Sequence, residues 1–218
     1  MLAGLGLWLG VGAAPAAAVP PSVVAQAVGS VVTVYQAPVR AKVLVTLANP
    51  APGGQPWVFL VKSRRQGWDE VYLPRRPNGS TGWVQAAKVV LAVDPYRVDV
   101  SLSAHMVTVW KNDVVVARDR AGVGKPSTPT PTGHFYVVEL LAQPTPDGEY
   151  GPYAFGLSAF STALYSFGGG PGQIGLHGTN DPAALGTDVS HGCVRIANAA
   201  IARLAHLLPL GTPVTITR

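Results

Sequence analysis

Only one cysteine, Cys193, stands in the 218 residues, so no disulfide can form within the chain. Charge is also scarce: Asp, Glu, Lys and Arg make up 12% of the chain, with 11 acids against 16 bases. A disordered, highly charged chain is thereby excluded, because 48% of residues are apolar and can build a core. The basic surplus, a net +5, raises the possibility of a nucleic-acid partner. The bases are scattered, however, their densest groups are only Arg64-Arg65 and Arg75-Arg76, and no nucleic-acid motif accompanies them. Attraction to an anionic cell envelope explains the same charge, as does a solvated face with no partner. Beyond the first residues, no segment reaches the ~20 apolar residues that span a bilayer.

Gly and Pro are plentiful, 25 and 20 residues, and with many valines they indicate a turn-rich β protein. Residues 2–19 hold no charged side chain, and the first charge of either sign is Arg40. Leu2, Leu5, Leu7, Trp8 and Leu9 form an apolar run, followed by Ala13-Ala14-Pro15-Ala16-Ala17-Ala18, small residues suited to signal-peptidase cleavage. Residues 1–19 therefore read as a signal peptide or membrane anchor, although the usual basic n-region is missing, and the protein as exported to the cell envelope. Residues 20–29 read as a linker.

Short β-rich runs fill residues 30–92: Val31 to Tyr35, Lys42 to Leu47, Trp57 to Val61, Gly67 to Leu73 and Thr81 to Val84, with turns at Asn49 to Gly54 and Pro77 to Ser80. Strands this short suggest a small barrel. The order GWDEVYLPRRPNGSTGWV resembles the bacterial SH3-like module, which implies binding of peptides or wall components, or else a spacer that only packs on its neighbour. A boundary falls near Ala92 to Pro95. Over residues 96–218, Val98 to Leu102 alternates with period two, Val107 to Trp110 and Val114 to Val116 form a hairpin, Phe135 to Val138 is a strand, and Gln173 to Leu176 is a short strand ending at His177. Asn198 can cap a helix that shows Ile201, Leu204, Ala205 and Leu208 on one face, and Pro209 and Gly211 stop it. The fold class is mainly β with a few helices.

The sole thiol lies in Ser190-His191-Gly192-Cys193-Val194-Arg195-Ile196. In an exported protein a free thiol is exposed to oxidation, so it is either buried and inert or kept for chemistry. An imidazole that takes its proton, helped by the charge of Arg195, would make the thiolate. Gly192 leaves room for a substrate backbone, and the N–H groups of Gly192 and Cys193 can face a developing oxyanion. Two histidines compete for the base. His191 is close in sequence, while His177 sits at a strand end, with the Gly178 carbonyl placed to orient its ring. A zinc site from His177, His191 and Cys193 is the metal alternative, and it lacks an evident fourth ligand.

Three segments, IGLHGTN, SHGCVRI and GVGKPSTPTPTGHF, together with YGPYAFGLSAF, resemble the L,D-transpeptidase (YkuD) catalytic domain over about residues 97–217. The resemblance implies an SH3-like barrel followed by a β-rich catalytic domain, with peptidoglycan stem peptides as partners, carbapenem-type β-lactams as inhibitors, and no metal, cofactor or obligate protein partner. It implies Cys193 as nucleophile and His177 as base, Gly178 as the orienting carbonyl, and His191, Gly192 and Cys193 around the oxyanion hole through their backbone N–H groups. Arg195 would meet a substrate carboxylate, with Ser190 and Tyr153 also at the substrate; Tyr150 either walls the pocket or packs. The implied reaction attacks the carbonyl of the third stem residue, expels the terminal D-residue, and resolves the thioester with a second stem's amine, giving a 3→3 cross-link, or with water, giving a carboxypeptidase; the rival from another class is a catalytically weak wall-binding protein, against which the intact His177 and Cys193 weigh.

Overall fold

The computed structural model describes residues 19–218; the leader read over residues 1–19 lies, apart from Val19, outside them. The described residues are mainly β, as two large sheets and a two-stranded one with one α-helix. The N-terminal sheet has seven strands: β1 Ser22–Ala27, β2 Val31–Tyr35, β3 Val43–Ala48, β4 Val58–Arg65, β5 Trp68–Tyr72, β6 Thr81–Gln85 and β7 Val89–Asp94. Their spatial order is β3-β2-β6-β5-β4-β1-β7, antiparallel throughout. Each strand alternates its side chains, and the inward set, among them Val32, Val34, Phe59, Val71 and Val84, forms one apolar cluster.

One boundary differs from the sequence reading. The stretch assigned to a linker contains β1, which pairs with β4 on one side and β7 on the other. Its Ala25 and Ala27 are buried; small, uncharged side chains are what a strand held between two neighbours can carry, and that signal resembles linker composition. The last strand, β7, runs on to Asp94, so only Pro95 separates the two sheets.

The second unit comprises β8 Tyr96–Ser101, β9 Met106–Lys111, β10 Val114–Arg120, β11 Val123–Gly124, β12 Gly133–Ala142, β13 Tyr153–Phe160, β14 Gln173–His177, β15 Asp188–Ser190, β16 Val194–Arg195, α1 Asn198–Ala205 and β17 Pro213–Thr217. Eight of these strands lie in the order β10-β9-β8-β17-β12-β13-β14-β16, and β11 pairs with β15 alone. The β9–β10 hairpin turns through Asn112 and Asp113, both at positive φ, the residue types that tolerate it best. Alternating valines of β8 and β9 meet Val214 and Ile216 of β17, Phe135 and Val137 of β12, and Ile201 and Leu204 of α1 in a single core. The helix lies against β13 and β14 and so backs the strand that ends at His177.

The two units pack on each other through polar and apolar contacts. Gln55 exchanges two hydrogen bonds with the backbone of Leu140, at 3.1 and 3.2 Å. The buried Tyr136 donates its hydroxyl to the Tyr72 carbonyl at 3.1 Å. Gly211, at φ +92°, lets Val24 and Val58 close on the turn before β17, where a Cβ would lie 3.0 Å from the Val58 Cγ1. Thr212 Oγ1 donates to Asp94 Oδ2 at 2.7 Å at the junction, and burial raises the pKa of that carboxylate despite the bond. Replacing Thr212 by Val leaves a buried acceptor unsatisfied, so T212V is expected to lose about 1–3 kcal/mol in urea unfolding followed by circular dichroism.

Candidate active site

Parallel pairing of β14 with β16 sets Leu176 opposite Val194 and His177 opposite Arg195. Side chains two apart on a strand share a face, so Cys193 points with Arg195, and Gly175 lies on the His177 side of the pair. The consequence is direct. The Gly175 N–H donates to Cys193 Sγ at 3.3 Å. A Cβ placed on Gly175 would lie 3.6 Å from His177 Cδ2 and 3.8 Å from Cys193 Sγ, so a bare backbone lies between ring and thiol. Gly175 was not singled out from the sequence; its place two residues before His177 was the available signal.

The imidazole is buried. Its Nδ1–H donates to the Gly178 carbonyl at 2.6 Å, which leaves Nε2 as the nitrogen with the free lone pair. The Tyr150 ring packs 4.7 Å from it. Behind Gly178 the backbone is crowded: a Cβ there would lie 2.9 Å from the Gly151 Cα and would strike Asn198 Oδ1. That oxygen accepts the Thr179 N–H at 2.8 Å, so Asn198 ties the turn after His177 to α1. The helix cap is Ala197, with no side-chain hydrogen bond, and the capping role read for Asn198 is corrected: its side-chain oxygen is used by the neighbouring loop.

The thiol's own turn is held from below. Ser190 is buried; its Oγ donates to the Cys193 carbonyl at 2.6 Å and accepts the Gly192 N–H at 3.0 Å. Two expectations change. Ser190 braces the turn internally, although it borders the cavity, and the Gly192 N–H is already occupied. Among the described residues, the N–H groups of His191 and Cys193 have no acceptor and remain as the oxyanion donors on offer. Gly192 itself, at φ +124°, sits where a Cβ would come 2.9 Å from Ile174 Cδ1. Below it runs the Pro-rich stretch to which the sequence assigned no chemistry. Thr130 donates to the Gly192 carbonyl at 2.8 Å, and Thr128 and the Lys125 N–H both donate to the Ser190 carbonyl, at 3.1 and 3.0 Å. Threonines alternating with prolines were the visible sign: the prolines set the backbone and the hydroxyls supply the donors.

Cys193, His177, Ser190, His191 and Arg195 line one cavity of about 170 Å³, with Glu149, Tyr150 and Phe167. A second cavity, of about 290 Å³, also reaches Cys193 and His177 and runs past Gly175 and Phe155 to Glu139 and Pro171. Tyr153 borders neither. Its ring faces away from the site toward His206, at 6.1 Å, because Ala154 is the β13 residue registered opposite His177 and its neighbour points the other way. Tyr150 is the tyrosine at the cavity. The His191 ring is exposed and stacks on Phe167 at 4.9 Å. Arg195 has no carboxylate partner among the described residues, and its Nε is buried without an acceptor. Among those residues, no three His, Cys, Asp or Glu side chains converge as a metal site.

The segment from 95 to 216 matches the model of the YkuD L,D-transpeptidase catalytic domain, more than half of the chain. The chain belongs to this family. Proteins named "Putative L,D-transpeptidase YkuD" from Bacillus subtilis (strain 168) and Bacillus licheniformis are 39% and 37% identical to it, over 57% and 56% of this chain. The matched stretch spans only about two thirds of those relatives, 67% and 66% of their lengths. A solved L,D-transpeptidase from Mycobacterium smegmatis is 16% identical, covering 75% of this chain and 90% of its own, with a TM-score of 0.47.

In the described site, burial disfavours the charged forms of both Cys193 and His177. Burial pushes the Cys193 thiol above its usual range, against the opposing pulls of the Gly175 N–H and the Arg195 charge. Burial also drives His177 down to about 4, which the Gly178 bond offsets only in part. The thiolate inferred from the sequence is opposed by the enclosure of both groups, which disfavours the ion pair. The rate of Cys193 alkylation by iodoacetamide should keep rising with pH through 9, the usual thiol value; a plateau already reached below pH 7 would reveal a standing thiolate. The imidazole adds a pH dependence of known sign. Its pKa falls from 6.5 to about 4 on folding, so the unfolded chain takes the proton first. Stability from this group is complete above 6.5 and is lost as pH falls toward 4, by about 3 kcal/mol, and H177Q should flatten that loss in urea titrations at pH 7 and pH 4.

Proposed function

We propose that the protein is an exported peptidoglycan L,D-transpeptidase that forms 3→3 cross-links through a Cys193 acyl-enzyme. One observation carries the reading: a buried imidazole, tethered at Nδ1 by Gly178, shares a cavity with the sole thiol and with an arginine that has no carboxylate partner among the described residues. An acyl transfer needs these parts, namely a nucleophile, a base with a free lone pair, and a cation for the substrate's carboxylate.

The steps balance as follows. His177 Nε2 takes the Cys193 proton as the sulfur attacks the carbonyl carbon of the third stem residue. The tetrahedral oxyanion lies at the N–H groups of Cys193 and His191. The C–N bond to the terminal D-residue breaks, and its amine leaves with the proton held by His177. An acceptor amine then attacks the thioester, gives its proton to Nε2, and the thiolate departs and is reprotonated. Arg195 meets the donor carboxylate, and Tyr150 and Phe167 wall the stem. Because both groups start neutral, proton transfer accompanies attack and substrate is needed to call up the thiolate.

Export is supported by the uncharged run over residues 2–19 and by a substrate that lies outside the membrane. The N-terminal sheet is proposed to be the SH3-like module, since its Gly-Trp-Val falls in β6 beside β5. A carbapenem presents a strained carbonyl and a carboxylate together, the two features that Cys193 and Arg195 await.

Intact mass spectrometry after carbapenem treatment is expected to show one adduct, at Cys193, absent from C193A. C193A should lose roughly 10³-fold or more of tetrapeptide turnover. H177A should slow acylation about 10²–10⁴-fold and H191A far less; the reverse order would transfer the base to His191. Product analysis with and without an acceptor amine separates cross-linking from trimming, and exclusive hydrolysis in the presence of the amine would replace the transferase with a carboxypeptidase.

A further inference from the structure

Arg76 belongs to the N-terminal sheet's β5–β6 connection, yet its guanidinium is spent on the other unit. Its Nη1 donates to the Pro171 carbonyl at 2.7 Å, and its Nη2 to the carbonyls of Ser161 and Leu164, each at 3.0 Å. The same guanidinium lies 4.9 Å from the Phe160 ring centre and 4.8 Å from that of Tyr165. No carboxylate pairs with it among the described residues. Two residues on, Asn78 donates to the Phe160 carbonyl at 2.8 Å and accepts its N–H at 2.9 Å.

These contacts grip both ends of residues 161–172, the connection from β13 to β14. The Ser161 N–H donates to the Gly172 carbonyl at 2.8 Å and closes the base of the loop. Gly172, at φ +72°, fits there because a Cβ would strike the Leu164 carbonyl, itself an acceptor of Arg76, and come 3.2 Å from Arg76 Nη2. The tip holds Gly168-Gly169-Gly170, the sequence with the most conformations to lose, so its order depends on anchors elsewhere. At that tip Phe167, 44% exposed, stacks on His191 and lines both cavities that reach Cys193.

We infer that Arg76, with Asn78, is a positioning residue of the active site: the N-terminal unit grips the 161–172 loop by its carbonyls and so sets Phe167 as a wall over the thiol. Lysine cannot replace it, since one ammonium does not span three carbonyls while lying between two rings. The inference rests on Cys193 being the nucleophile proposed above.

The test is the second-order rate of carbapenem acylation of Cys193, read by intact mass on the full chain. Arg76→Ala should slow it roughly 10- to 10²-fold, with only partial recovery in Arg76→Lys. In a Phe167→Ala background, Arg76→Ala should cost little further. Hydrogen exchange should rise over 161–172 in Arg76→Lys and in Asn78→Ala, with the core strands unchanged, and these milder variants carry the test if Arg76→Ala does not fold. Equal rates in wild type and variants, additive losses with Phe167→Ala, or unchanged exchange in the loop would each overturn the positioning role alone. A wild-type protein that stays unmodified would overturn the nucleophile and this role with it.

Discussion

The site depends on one register: β14 beside β16, parallel, with His177 opposite Arg195. From this pairing the thiol, the imidazole and the guanidinium come to one side of the sheet, and the Gly175 N–H comes to the sulfur. A slip of one residue would turn His177 into the core and Leu176 toward solvent. The register is protected accordingly. Leu176, Val194 and Ile196 are buried in the main core beneath, α1 closes over that core, and Asn198 links the helix to the loop that follows the imidazole.

Much of this could be read from the residue order, and the reasons are physical. Period-two valines specify strands whose inward faces must be buried, so β8 and β9 were legible. The paired motifs at His177 and Cys193 named the groups that share the cavity. What could not be read depended on long-range partners. Nothing local in Ser22–Ala27 says that two strands will enclose it. Nothing in Tyr153 or Tyr150 tells which ring meets the cavity until the β13 register is known. The Gly192 N–H and Ser190 Oγ are three atoms of one small bracket, and only the folded turn shows that they satisfy each other. The enclosure of the thiol is hidden for the same reason, because sequence proximity displays the charges and omits the burial that opposes them.

The two units also share their responsibilities differently from the order of the chain. The Cys193 turn is held from within its own unit, by Thr128, Thr130 and Lys125 beneath Ser190 and Gly192. The cavity rim, in contrast, is shaped by a loop whose two ends are gripped by Arg76 and Asn78 from the first sheet. The Gln55–Leu140 pair and the Asp94–Thr212 bond keep the sheets in fixed relation along the remainder of the seam.

A protonated sulfur has a further consequence for a protein that would work outside the cell. Peroxides and other oxidants consume thiolates far faster than thiols. With burial raising the Cys193 thiol, a nucleophile at that position would stay in a chemically quiet form between encounters, its reactivity released only when a donor occupies the cleft. Durability and latency would then be one property, set by how tightly the strands close around sulfur and ring.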